Sequence, residues 1–77
     1  MSELCSTREI VERLKDIVSI RYKNTPVKDW HIADELYIKT ASLGAKIKRD
    51  NPPYKEILIF CSKNLINPLK ITMEKGL

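Results

Sequence analysis

The chain is poor in the residues that staple or metal-hold small folds. It has two cysteines and one histidine in 77 residues. With no Cys-x-x-Cys pair and no paired histidines, a disulfide framework and the common zinc spacings are excluded. Such sparse cysteine fits a reducing, cytoplasmic compartment. Long apolar runs are missing too: none approaches the ~20 residues that span a bilayer, and the first residues lack the apolar stretch of a signal peptide. Internal repeats, linkers and low-complexity segments are absent. Catalytic groupings are also missing, because Asp29, Asp34 and Glu35 stand together without a nucleophile, a partner base or a cleft. The sequence thus reads as a non-enzyme with no cofactor, no metal, no membrane partner and no evident small-molecule ligand.

What is present suits one small globular domain over 1–77. Hydrophobic residues make up 43% and charged residues 31%, enough for a single core near the lower limit of unassisted folding. The net charge of +4 favours a polyanionic partner, a weak signal by itself. Its placement strengthens it. Lys39, Lys46, Lys48 and Arg49 fall within one eleven-residue window with no acid before Asp50.

Taken in order, the chain predicts five short helices. Ser6-Thr7-Arg8-Glu9 is a capping box opening a helix to about Ile20, with Ile10, Leu14, Ile17 and Val18 on one face. Residues 21–26, with Asn24 and Pro26, are a loop. A second helix runs from Val27 or Lys28 to Leu36 or Tyr37, with Trp30 inward as the largest buried contributor, a packing role that outweighs base stacking. His31 reads as a surface residue. A third helix spans Thr40 to Arg49, ended by Asp50-Asn51-Pro52-Pro53. A fourth, from Pro53 to Lys63 or Asn64, carries Tyr54, Ile57, Leu58, Cys61 and Leu65 at helical spacing, widened by Ile59 and Phe60, and that breadth suggests a central helix. The run Ile57–Cys61 also fits a buried strand, but no second strand exists to pair with it. Asn67-Pro68 caps a short fifth helix to about Met73. Cys61 reads as a buried thiol, and Cys5 as an exposed one able to form an adventitious disulfide.

The stretch Trp30–Arg49 organises the rest. Its apolar and small residues, Ile32, Ala33, Leu36, Ile38, Leu43 and Ile47, suit two short helices meeting across a tight turn, a helix-turn-helix over about 28–49. Ala33 allows close approach, Leu36 and Leu43 face each other, and Ile38 plugs the turn into the core. This pattern predicts duplex DNA binding, with Thr40–Arg49 as the recognition helix.

Ile32-Ala33-Asp34-Glu35-Leu36-Tyr37-Ile38, then Leu43, then Lys48-Arg49-Asp50-Asn51-Pro52-Pro53 and Ile57, with Leu65-Ile66-Asn67-Pro68 later, resemble the helix-turn-helix domain of phage CI-type repressors among the lambda-repressor-like domains. The resemblance covers about Arg8 to Met73. It implies an all-α bundle of about five short helices and a prokaryotic or phage transcriptional regulator, a repressor binding a double-stranded DNA operator as a homodimer. Repressors of this kind carry a further C-terminal domain, so the chain reads as a fragment of a longer regulator or a stand-alone short one. Tyr37 stands where the family has a turn glycine, and Lys46 where an aromatic residue is common.

With Leu43 and Ile47 inward, Ala41, Ser42, Ala45 and Lys48 share the outer face, with Thr40 and Gly44 at its margins. Thr40 and Ser42 can hydrogen-bond base edges, and Ala41 and Ala45 can meet thymine methyls. The absence of Arg, Asn or Gln there predicts modest direct readout and a preference for A·T-containing sites. Lys28, Lys39, Lys46, Lys48, Arg49 and Asn51 are the candidate phosphate contacts. A protein-interaction module on the same fold, with DNA binding lost and an apolar surface around the last two helices, is the alternative.

Overall fold

The computed structural model describes residues 5–23 and 25–73, so Asn24 and the termini read above lie outside it. The chain forms α1 (Thr7–Val18), a 3₁₀ turn (Ser19–Arg21), α2 (Asp29–Glu35), α3 (Thr40–Arg49), α4 (Tyr54–Lys63) and α5 (Leu69–Thr72). No β-strand occurs among the described residues, and no described helix is long and apolar enough to cross a membrane.

Local chemistry sets the helix ends. The Ser6 hydroxyl accepts from the Glu9 amide at 3.2 Å, as the capping box requires. The reciprocal bond differs, because the Glu9 carboxylate accepts from the Ser6 hydroxyl at 3.3 Å rather than from its amide. Asn67 Oδ1 accepts from the Leu69 amide at 3.0 Å, opening α5. At the other end of α5, the Arg13 guanidinium donates to the carbonyls of Lys70, at 3.1 Å, and of Met73. That satisfies acceptors a four-residue helix leaves open.

The core is built around α1, which packs on α2, α3 and α5. Ile10, Val11, Leu14 and Val18 are fully buried, with Ile17 half-buried beside them. The central position expected for α4 therefore belongs to α1. In α4 only Ile57, Phe60 and Cys61 are buried, while Tyr54, Leu58 and Ile59 are exposed. Spacing of i, i+3 and i+4 gives a narrow buried stripe, and the extra apolar residues fall outside it. Leu65, expected on the same face, is 95% exposed.

Three helices end in the same way, and none uses glycine. After α2 the Ile38 amide donates to the Ala33 carbonyl at 3.0 Å and the Tyr37 amide to that of Asp34 at 3.1 Å. After α3 the Asn51 and Asp50 amides donate to Lys46 and Ile47, and after α4 those of Ile66 and Leu65 donate to Cys61 and Ser62. This paired pattern is the Schellman motif, whose first residue past the cap is left-handed. Those residues are Tyr37, Asp50 and Leu65, with φ of 59°, 53° and 56°. For a tyrosine and a leucine the conformation costs on the order of 1 kcal/mol or more each. At Tyr37, where the resembled family has glycine, the turn closes despite that cost.

Three further expectations are overturned. Trp30 is 53% exposed, whereas His31, read as a surface residue, is 6% exposed. The cause is a hydrogen bond: His31 Nδ1 accepts from the Lys28 amide at 2.9 Å, pinning the imidazole inward at the start of α2. Adjacent helical residues lie about 100° apart, so turning His31 inward turns Trp30 to the rim. Cys5 is buried, because its amide donates to the Thr72 carbonyl at 2.8 Å and draws the segment onto α5.

Candidate nucleic-acid interface

α2 and α3 pack on each other across the turn at residues 36–39. Ala33, Leu36 and Leu43 are buried, and Ile38 and Ile47 pack half-buried against the same core. With Leu43 as the anchor, α3 leaves Thr40, Ala41, Ser42, Gly44, Lys48 and Arg49 exposed. Ala45 is only half-exposed. Lys46 is also half-buried, because it lies about 60° around the helix from Leu43, where a lysine stem can run along the core edge while its ammonium reaches water.

The four base-contact candidates, Thr40, Ala41, Ser42 and Ala45, thus lie in the first six residues of one helix. The cations divide by position. Lys39 precedes α3, Lys46, Lys48 and Arg49 occupy its last turn, and Asn51 follows the left-handed Asp50. All but Lys46 are exposed. A basic last turn also suits the negative end of the helix dipole. Lys28 is exposed on a separate element, one residue before α2.

Ion pairs engage three cations outside this set, Arg8, Lys15 and Arg21. Lys15 Nζ meets Asp29 at 2.7 Å, Arg8 approaches the same carboxylate at 3.9 Å, and Arg21 pairs with Glu35 at 2.8 Å. Arg21 also reaches the Asn64 side-chain oxygen. The Asp29 carboxylate raises the pKa of Lys15 through their hydrogen bond, against the opposing effect of burial. Among the described residues Lys28, Lys39, Lys46, Lys48 and Arg49 form no ion pair.

Asp50 ends the basic window, and its carboxylate is occupied by α1. Oδ1 accepts from the Thr7 amide at 2.7 Å and from the Thr7 hydroxyl at 3.0 Å. The amide bond, then the hydroxyl bond, lowers the Asp50 pKa below its usual value. One side chain therefore caps α1 and fastens the end of α3 to it. Sequence reasoning missed this link because it spans 43 positions.

Cys61 is fully buried, and burial raises its thiol pKa, which leaves little thiolate. Among the described residues no group of three or more His, Cys, Asp or Glu side chains could hold a metal ion. A shallow cavity of about 200 Å³, lined by Leu36, Tyr37, Ile59 and Phe60 with Glu35, Glu56 and Lys63 at its edge, is smaller than usual small-molecule sites. Lys63 Nζ lies 4.5 Å from the centroid of the Tyr37 ring there, a cation–π contact.

Comparison with known proteins finds no family model, no curated protein and no solved structure that matches the chain.

Proposed function

We propose that the chain is a helix-turn-helix DNA-binding protein of the lambda-repressor-like kind, a prokaryotic or phage transcriptional regulator acting as a repressor. α3 enters the major groove of a double-stranded DNA operator, and two copies read two half-sites about one helical turn apart. The observation that carries this reading is the unpaired cation set around α3. Lys39, Lys46, Lys48 and Arg49 flank an outward surface of small side chains, while Arg8 and Lys15 of α1 are bound to the Asp29 carboxylate. Thr40 and Ser42 offer hydroxyls to base edges, Ala41 and Ala45 offer methyls to thymine, and the cations with Lys28 and Asn51 meet phosphates. The pattern from Ile32 to Pro53 that resembles CI-type repressors gives independent support.

Fluorescence anisotropy of a labelled mixed-sequence duplex, titrated at two salt concentrations, tests the reading. Neutralising about four phosphates per copy gives a log–log salt slope near −3.6, about twice that for a dimer. A duplex left unbound at low salt overturns the proposal.

A second reading is favoured by a different observation. Leu58, Ile59, Leu65 and Leu69 expose apolar surface on and after α4, which suits a protein partner. Under that reading, charge reversal on α3 leaves partner binding intact.

A further inference from the structure

The chain has one tryptophan, and its placement is unusual, since this residue type is highly buried on average. Trp30 is 53% exposed, yet its ring is held in place. One face stacks on His31 with centroids 3.8 Å apart at an interplanar angle of 23°. His31 is itself fixed by the Lys28 amide at 2.9 Å and by the edge of Tyr22, 4.7 Å away. A second contact therefore meets a preset plate and loses little side-chain freedom on binding. Among the described residues nothing accepts a hydrogen bond from the indole N–H.

Position and charge suggest what the plate meets. Helical spacing sets Trp30 between the buried Ala33 and the exposed Asp34, at the rim of the face that α2 buries. α2 leads through the turn at residues 36–39 into α3 and packs on it, so Trp30 and the proposed recognition helix belong to one packed pair of helices. The local charge is positive on balance, with Asp34 the one exposed carboxylate there that forms no ion pair among the described residues. Lys28, and Lys23 next to Tyr22, are exposed and form no ion pair among the described residues, while Asp29 is bound by Lys15 and Arg8.

We infer that Trp30 is a second DNA contact, made to the sugar–phosphate backbone. The open indole face rests on deoxyribose carbon, and Nε1–H donates to a phosphate oxygen. Duplex bases are stacked and unavailable to an indole outside the groove, whereas sugar edges and phosphates are presented outward. This inference rests on the DNA-binding reading. It adds a contact on α2 that carries no charge and reads no sequence.

The lone tryptophan allows a direct test. Emission of Trp30 is recorded while a mixed-sequence duplex is titrated, alongside anisotropy of the labelled duplex. The expected result is an emission change that follows the anisotropy. Trp30→Ala weakens binding roughly five- to tenfold, in the range of single aromatic contacts to nucleic acid, and leaves the salt slope unchanged. Lys28→Ala reduces that slope by about one. Trp30→Phe retains a ring without the N–H and falls between wild type and Trp30→Ala, which guards against a loss caused by disturbed packing on His31. Anisotropy that rises while emission stays constant, or a Trp30→Ala affinity within twofold of wild type, overturns the inference and leaves the DNA-binding reading intact. No anisotropy change at low salt overturns both.

Discussion

α1 and the α2–turn–α3 segment treat their polar groups in opposite ways. Around α1, Ser6 and Asp50 cap the helix, Lys15 and Arg8 share Asp29, and Arg13 closes α5. The other segment carries more features that run against local preference. Its cations repel one another, Tyr37 is left-handed, and Gly44 sits inside α3 although a Cβ there would meet nothing within 4 Å. Natural sequences tend to break local rules where function asks for it. The difference is the one expected if α1 is scaffold and α3 is the proposed binding surface.

The largest expected effect falls where the two regions join. Leu43→Ala removes the anchor of α3 and should cost about 2–5 kcal/mol, read as a lower urea midpoint. A cost under 1 kcal/mol would mean that α3 is held by something else. Next is Lys46→Glu with Lys48→Glu, which should weaken duplex binding on the order of 100-fold at low salt with a nearly unchanged melting temperature. Equal losses of folding and binding would dissolve the distinction. Gly44→Ala should raise stability by about 1 kcal/mol, since the site is open and alanine is the better helix former. Destabilisation would show that the glycine serves the fold.

The smallest effect at neutral pH is that of Asp50→Asn, which keeps an acceptor for both Thr7 donors and tolerates the left-handed backbone. Its signature is in acid. The folded carboxylate titrates below the ordinary aspartate value. Its stabilisation is therefore complete above that value and is lost as pH falls through it toward the folded pKa. The asparagine variant lacks this part of the acid unfolding curve, and a curve identical to wild type would remove Asp50 as its source.

Much of the fold was legible because the helix boundaries are written locally. Ser6 with Glu9, Pro52-Pro53 and Asn67-Pro68 mark ends that the structure matches to within a residue or two. The burial of Leu36 and Leu43 followed from periodicity. Rotation of α2 did not, because side-chain size favours Trp30 as the core residue and only the His31–Lys28 bond decides against it. Likewise, α4 offers more apolar residues than one stripe can bury, and its sequence does not say which will be left out. The outward face of α3 was readable as a face, whereas the occupation of Asp50 by Thr7 depends on chain folding between distant segments.

That last contact bears on how the molecule opens. The Thr7 amide lies in the first turn of α1, and the carboxylate that accepts its hydrogen bond comes from beyond α3. Fraying at the start of α1 and detachment of the end of α3 are therefore one event. The two should exchange their amide hydrogens as a single cooperative unit, the long-range bond making the first turn a reporter of the third helix.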